Sequence, residues 1–328
     1  MSCYHPLHAF DTGCLTATGK REIIVTSHYK DSLPVDKAVE KFGHSYTYDP
    51  KQMAIVNDVM CFVHPEEVPC GHCIGCRLDK SADWATRCMV EASLHDENWF
   101  ITLTYDDESL PADGKVSKRD VQLFNKRLRA AYGDGIRFFL CGEYGEHFLR
   151  PHYHGIYFNL HLDDLKPVSR GHDGNLYYSS KKLEKIWNNG FVLIGSVSFK
   201  SAGYVARYAM KGFKDDAVDY KPFLLMSRNP GIGHDWIESN LMKVYTTDTI
   251  YFDLGDRKMT KSNRYFDSRL EKIYPDLLND WKDVRKISSD FSQTGELVAH
   301  GFSDPEEMRD VLEKRKRRSI ERLKRNKL

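Results

Sequence analysis

The stretch that decides the fold reads Arg-Pro-His-Tyr-His-Gly-Ile-Tyr-Phe and occupies residues 150–158. Its aromatic and β-branched residues are typical of a β-strand. On a strand, residues two apart point to the same side, so His152 and His154 project from one face and Tyr153 from the other. Two neighbouring imidazoles supply half of a divalent metal site. Taken alone, such a pair is equally typical of packed polar residues without a ligand.

A carboxylate is the third ligand that a Mg²⁺ or Mn²⁺ site needs. Glu143 ends the preceding predicted strand, 137–143, nine residues before His152. A hairpin between that strand and the strand 152–160 brings Glu143 near the histidines. Glu146, in the connecting loop, is the alternative.

The segments around this hairpin predict an α+β fold with a central antiparallel sheet and helices on one side of it. Ser117 is a candidate N-cap for the helix that opens near Val116. The predicted strands are 54–63, 100–105, 137–143, 152–160 and 191–199, and the predicted helices are 35–42, 78–95, 116–132, 181–188, 201–213, 266–286 and 305–325.

Three regions follow from this pattern. Residues 1–95 form a Cys-rich region and helix, 96–214 the core with the histidine strand, and 215–328 a helical region with a basic tail. In the tail, residues 314–328 hold nine lysines and arginines against one acid, Glu321. Such a charge run indicates an anionic partner, most often nucleic acid, or a solvated terminal helix.

Two tyrosines lie four residues apart in the predicted helix 201–213. Tyr204 and Tyr208 therefore share one face, and Lys211 continues the same stripe. A tyrosine oxygen can attack a phosphodiester. Its ordinary pKa is about 10, so a nearby cation is needed to favour the phenolate. Paired tyrosines alone also suit the edge of a core.

Clustered cysteines indicate a second metal site. Residues 70–76, Cys-Gly-His-Cys-Ile-Gly-Cys, offer three thiolates at a spacing that suits tetrahedral Zn²⁺. We take Cys3 as the fourth ligand beside Cys70, Cys73 and Cys76. The rival fourth ligands are His72, His5 and Cys14, and the alternative to a metal is a group of reduced thiols.

The order of these motifs resembles the replication initiators of the HUH class, and most of all those of the gokushoviruses, single-stranded DNA phages of the microvirus family. The resemblance runs from about residue 68 to 212. It is carried by Phe-Ile-Thr-Leu-Thr-Tyr at 100–105, Gly-Glu-Tyr-Gly at 142–145, the histidine strand at 150–158, and Tyr-Val-Ala-Arg-Tyr with a lysine three residues later at 204–211.

The resemblance implies an HUH endonuclease-like sheet with the tyrosine helix packed nearby. It implies His152, His154 and Glu143 as ligands of Mg²⁺ or Mn²⁺, and Tyr204 and Tyr208 as nucleophiles. Lys211 stands three residues after Tyr208, as in initiators with a single tyrosine, so the first nucleophile stays open. We favour Tyr208, because Lys211 is one helical turn away.

The expected reaction is nicking of a single-stranded or extruded DNA origin to start rolling-circle replication, with a host helicase and polymerase as further partners. The sequence shows no secretory signal and no run of the ~20 apolar residues that a membrane helix needs. We therefore expect no membrane contact and a place in the cytoplasm of a bacterial host. The alternatives are a zinc-knuckle nucleic-acid-binding protein without catalysis and a histidine-pair phosphoesterase.

Overall fold

A computed structural model describes residues 3–145, 148–171, 174–208, 222–253 and 257–325. The N-terminal elements are β1 (Leu7–Leu15), β2 (Arg21–Thr26), β3 (Ser32–Pro34), α1 (Val35–Phe42), β4 (Met53–Val56), β5 (Val59–Val63), β6 (Glu66–Val68) and α2 (Ile74–Ala92). The central elements are β7 (Asn98–Tyr105), α3 (Lys118–Tyr132), β8 (Arg137–Tyr144), β9 (Pro151–Phe158), β10 (Lys166–Arg170), β11 (Leu176–Ser179), α4 (Lys181–Trp187), β12 (Gly190–Ser196) and α5 (Phe199–Tyr208). The remaining elements are β13 (Phe223–Met226), α6 (His234–Tyr245), β14 (Thr249–Asp253), β15 (Arg257–Lys261), α7 (Arg264–Ile273), α8 (Pro275–His300) and α9 (Pro305–Arg325).

These elements form two compact units, one of residues 1–77 and 288–328 and one of residues 78–287. The larger unit contains a seven-stranded sheet in the order β10-β11-β12-β7-β9-β8-β13, and each described pair in it is antiparallel. The smaller unit contains the three-stranded sheets β2-β1-β6 and β3-β5-β4. The division at 95/96 and 214/215 stays a prediction about domains.

The α+β class and the large antiparallel sheet agree with the prediction, but the helices cover both faces of the sheet. Strands β8 and β9 are buried on both sides, so each face needs its own apolar cover. Phe139 and Ile156 pack with α2, α5, α6 and α7, whereas Leu140 and Tyr157 pack with α3 and α4. The prediction of helices on one side is therefore wrong.

Three local predictions are corrected as well. Residues 54–63 are two strands of a hairpin, because Asn57 and Asp58 between them take positive φ angles of 49° and 62°, the conformation of a tight hairpin turn. The helix predicted over 266–286 is α7 and α8, with Pro275 in the first turn of the second. The region 215–328 contains β13, β14 and β15 beside its helices.

Helix α3 shows how the sequence sets an element of this unit. The Ser117 hydroxyl accepts a hydrogen bond from the amide of Asp120 and so caps the helix. Val121, Phe124 and Leu128 lie on one stripe and are fully buried against the sheet. The cap and the stripe confirm the prediction made for this segment.

Candidate active site and metal centres

The three predicted catalytic-metal ligands lie on the β8–β9 hairpin. In its register Glu143 is opposite His152 and Cys141 is opposite His154. Partners across an antiparallel pair share a face, so the glutamate and both histidines point to the side covered by α2 and α5. Tyr153 points to the opposite side and is 1% exposed in the core with α3 and α4.

The ligand atoms of this triad converge. Glu143 Oε1 is 3.2 Å from His152 Nε2 and 2.9 Å from His154 Nε2. One ligand atom from each residue lies within 4.8 Å of the others. Glu143 is 2% exposed and His154 is 9% exposed, so the charge of the carboxylate is held largely away from water.

Each histidine ring is oriented by its second nitrogen. Nδ1 of His152 donates to the carbonyl of Arg150 at 3.0 Å, which leaves Nε2 of the neutral ring with a lone pair facing the carboxylate. Nδ1 of His154 lies 2.9 Å from the hydroxyl oxygen of Thr102. The ring of Phe100 stacks on His154 with 5.5 Å between centroids. Such outer contacts fix the tautomer and angle of a metal-binding histidine.

Burial and charge act differently on the three groups. Burial would raise the pKa of Glu143, but hydrogen bonds with both histidines outweigh it and lower that pKa below its ordinary value. Burial would lower the pKa of His152, but its bond with Glu143 raises it. For His154 burial dominates and the pKa is lowered. Without a cation, His152 is therefore the ring that carries the balancing proton.

The triad fits a divalent cation. Glu143 Oε2 is buried and has no hydrogen-bond partner among the described residues. An orphaned buried oxygen costs about 1–3 kcal/mol unless something satisfies it. A cation between this carboxylate and the two lone pairs would do so. Two imidazoles and one carboxylate are a donor set used for divalent metals.

Helix α5 places a tyrosine beside the triad. The Tyr204 hydroxyl donates to Glu143 Oε1 at 3.4 Å, and its ring meets the His154 ring edge-on at 5.2 Å between centroids. Tyr208 is the last residue of this helix. The side chain of Tyr208, together with Lys211 and Glu146, lies outside the described part of the chain.

The second candidate metal centre lies in the smaller unit and joins Cys3, Cys70, Cys73 and Cys76, whose sulfurs all lie within 4.8 Å of one another. The Cys70–Cys76 and Cys3–Cys73 sulfur pairs are each 3.9 Å apart. Four thiolates at ~2.3 Å from a tetrahedral Zn²⁺ stand about 3.8 Å apart. The observed spacing is thus that of a metal centre and far too long for a disulfide.

Backbone amides support this cluster as thiolates. The amides of Tyr4 and Cys76 donate to the Cys73 sulfur, and the amide of Cys70 donates to that of Cys3. Burial raises the pKa of Cys73, but these amide bonds outweigh it and bring that pKa to about 7.

The rival fourth ligands lie elsewhere in the smaller unit. His5 contacts Glu313 at 2.6 Å, and His72 is exposed. Cys14 is on β1 and is not part of the described four-cysteine group.

The basic C-terminal stretch is not entirely free to meet a partner. It lies on α9, where Glu313 is 7% exposed and accepts a hydrogen bond from Arg317 at 2.7 Å. Arg317 therefore pairs within its own helix. The charges that follow it, from Arg318 onward, are the part of the predicted tail that remains for an anionic partner.

Sequence reasoning misses the residues that orient the histidines. In the sequence, Thr102 and Phe100 stand out only as members of a predicted strand. Both lie on the same face of β7, and Thr102 is directly opposite His154. The alternation of residues 100–105 is the signal that could have found them, once the neighbouring strand was known.

Comparison with known proteins gives the family. A family model of replication-associated proteins, described by the member ORF2, matches residues 98–213, which hold the triad and α5. Replication-associated protein ORF2 of Spiroplasma virus 4 is 33% identical over 291 residues, which cover 84% of this chain and 82% of the relative. The chain belongs to this family of microvirus-type replication-associated proteins.

Two further relatives carry the same kind of name. Replication-associated protein VP4 of Bdellovibrio phage phiMH2K is 33% identical over 232 residues, 67% of this replication-associated protein and 73% of the relative. Replication-associated protein ORF4 of Chlamydia phage 1 is 34% identical over 154 residues, 44% and 38% of the two chains. No solved structure matches the chain. In the described part of the chain, every helix is too short or too polar to cross a lipid bilayer.

Proposed function

We propose that this replication-associated protein is a metal-dependent DNA-nicking endonuclease and strand transferase of the HUH type, which starts rolling-circle replication. The observation that carries the proposal is the placement of the Tyr204 hydroxyl 3.4 Å from Glu143 Oε1, the oxygen on which His152 and His154 converge. A nucleophile for phosphoryl transfer and a set of cation ligands thus share one site.

The site divides into holding and reacting groups. Glu143, His152 and His154 would hold Mg²⁺ or Mn²⁺, which when bound supplies Lewis-acid polarisation of the scissile phosphate. Thr102 and the Arg150 carbonyl keep the two imidazoles in position. The carboxylate of Glu143 also holds the Tyr204 hydroxyl at the site, so that its oxygen is placed for attack.

The proposed reaction exchanges one phosphodiester for another. The tyrosine oxygen loses its proton and bonds to phosphorus, while the bond from phosphorus to the 3′ oxygen breaks. The 3′ oxygen takes up a proton and becomes the primer for synthesis, and the 5′ end stays linked as a phosphotyrosine. No ATP is needed, because the new linkage keeps the free energy of the old one for rejoining.

A second tyrosine would let the protein cut a regenerated origin while it still holds the first 5′ end. We propose Tyr208 for the pair with Tyr204, since both are on α5 four residues apart. Tyr208 as the first nucleophile, assisted by Lys211, stays a prediction. The described geometry supports Tyr204 as one that can reach the site.

The proposed substrate is single-stranded or extruded origin DNA inside the bacterial host, with host helicase and polymerase as later partners. The test uses single-stranded oligonucleotides with a randomised centre, incubated with Mn²⁺ or with a chelator and run on a denaturing gel. We expect protein-linked DNA with Mn²⁺ alone. Free 3′ and 5′ fragments with no adduct would instead indicate hydrolysis by a phosphoesterase.

For the four-cysteine centre we propose a structural Zn²⁺. Its sulfur spacing and amide hydrogen bonds suit a closed thiolate site, which in small units contributes directly to folding. The centre would fix Cys3, near the N-terminus, to the turn that precedes α2.

A further inference from the structure

One half of the metal-site face of the seven-stranded sheet is open to solvent. Helices α2 and α5 pack on the β8 and β9 half, where Phe139, Ile156 and Phe158 are fully buried. On β12, two strands away from β9, Phe191 is 64% exposed and Leu193 is 38% exposed. Large apolar side chains on an open sheet face indicate a binding surface.

The register places this open half in line with the catalytic site. Phe191 is opposite Thr104, Thr104 is opposite His152, and His152 is opposite Glu143. Partners in register share a face. Phe191 is therefore on the same side as the triad, two strand spacings or about 10 Å from His152 along the row.

The next row repeats this arrangement. Leu193 is opposite Thr102, which is opposite His154. Val192 and Ile194, which alternate with the exposed pair, are buried in the core with α3 and α4. The exposed pair is thus set by the strand alternation and continues the surface that carries the histidines.

A second aromatic ring lies further along the same face. A Cβ atom on Gly195 would come within 3.2 Å of Cε1 of Tyr177, so the Tyr177 ring of β11 lies over this glycine. The edge strand β10 is exposed along its whole length and carries Lys166 and Arg170. The open half therefore combines aromatic rings near the site with positive charge at its outer edge.

We propose that Phe191, with Leu193 and Tyr177 beside it, stacks on the bases of single-stranded DNA next to the scissile phosphate. The inference rests on the proposed nicking function and names the part of the protein that holds its substrate. Aromatic side chains stack on any base, and lysines and arginines at the rim follow the phosphates. Continuity with the triad and the charge of β10 favour DNA over a second copy of the chain as the occupant.

The test measures binding of a fluorescent oligo-dT strand to the full-length protein by anisotropy, in the presence of chelator so that no cleavage occurs. Phe191→Ala should weaken binding roughly ten-fold, since losing one stacked base has an effect of that order. Phe191→Trp should bind at least as tightly as wild type. The matched control is Phe291→Ala, because Phe291 is also highly exposed, at 82%, but lies in the smaller unit.

A backbone probe separates stacking from charge. With an abasic strand of the same length, Phe191→Ala and wild type should bind equally, and Phe191→Trp should lose the fluorescence quenching that oligo-dT produces. Equal oligo-dT binding by wild type and Phe191→Ala overturns the inference, even where wild type still forms a covalent adduct. A change from dimer to monomer in Phe191→Ala with unchanged DNA affinity would assign the surface to self-association.

The outcomes for the two proposals can be told apart. Wild-type protein that binds oligo-dT through Phe191 but forms no adduct with Mn²⁺ would remove the nicking function and leave the stacking surface. Wild-type protein that forms the adduct but ignores the Phe191 substitution would remove the surface and leave the nicking function.

Discussion

The Tyr204 hydroxyl donates to the same oxygen of Glu143 that faces both His152 and His154. A carboxylate thus connects a helix and a hairpin at the point where cation ligands and a phenol meet. Three groups share this oxygen, while Oε2 of the same residue has no hydrogen-bond partner in the described part of the chain. Binding of a cation would satisfy Oε2 and relax this sharing.

The first prediction concerns the triad. His152→Ala or His154→Ala should abolish adduct formation and weaken Mn²⁺ binding in calorimetry, because two ligands cannot replace three. The fold should survive, as judged by circular dichroism. The control is His161→Ala, since the His161 side chain is 78% exposed in the same unit. Full activity of a His152→Ala/His154→Ala protein in chelator would remove the metal mechanism.

Thr102 supplies a finer test of the same site. Thr102→Val keeps the shape of the side chain but removes the oxygen near His154 Nδ1. We expect roughly ten-fold weaker Mn²⁺ affinity, the usual effect of losing such an outer contact, with adduct formation restored at saturating Mn²⁺. Thr246→Val, at an exposed helix end, is the control. An unchanged affinity would assign Thr102 to packing alone.

The zinc prediction uses a matched pair of cysteines in the smaller unit. Purified wild type should contain about one tightly held Zn²⁺. Cys73→Ser should lose it and melt several degrees lower. Cys14→Ser, outside the four-cysteine cluster, should keep the metal and the melting temperature. Metal-free wild type, purified without chelator, would leave only four reduced thiols.

Glu91 gives a prediction about pH and stability in the larger unit. It is 2% exposed and accepts hydrogen bonds from Arg137 and from the amide of Gly233. Burial would raise the pKa of Glu91, but bonds with His95, Gly233 and Arg137 lower it. A lowered pKa in the folded state stabilises the fold above the ordinary glutamate pKa, and this contribution is lost as the pH falls through the folded-state pKa.

Glu91→Gln should therefore lower the free energy of unfolding at pH 7 by about 3 kcal/mol, because it leaves the Arg137 charge poorly compensated. In urea denaturation the difference from wild type should shrink towards pH 3. Glu40→Gln, which removes only an exposed ion pair with Lys37, is the control. A difference that does not depend on pH would mean that packing, not charge, explains the effect.

The C-terminal charges need a deletion that spares the fold. Arg317 pairs with the buried Glu313, so removal of residues 318–328 is a cleaner test than removal from 314. The truncated protein should bind single-stranded DNA more weakly, with a shallower dependence on salt, because fewer counterions are released. The same slope as wild type would assign these residues to another partner or to solubility.

The hairpin and its ligands could be predicted because strand alternation and hairpin pairing are local rules. His152, His154 and Tyr153 fall on the faces that period two assigns to them, and Glu143 falls opposite His152. The Ser117 cap and the buried stripe of α3 follow from helical period in the same way. Local pattern was enough wherever partners are close in sequence.

What the sequence did not disclose depends on distant partners. The contact between Thr102 and His154 joins residues 52 positions apart. The short strands of residues 1–69 carry too few alternating positions to be read, and the turn at Asn57 and Asp58 splits what looks like one apolar run. The cover on both faces of the sheet arises because β8 and β9 are buried on both sides, which a single strand pattern does not reveal.

The central claim is tested most directly at the tyrosines. Wild type, Tyr204→Phe, Tyr208→Phe and the double variant are incubated with Mn²⁺ and the randomised single-stranded library, and protein-linked DNA is measured on a denaturing gel. The double variant should bind DNA yet form no adduct, since phenylalanine keeps the ring and lacks only the oxygen. Tyr208→Phe should reduce the first cut more, and Tyr204→Phe should reduce strand transfer more. A 5′-linked adduct of undiminished yield in the double variant would contradict the account.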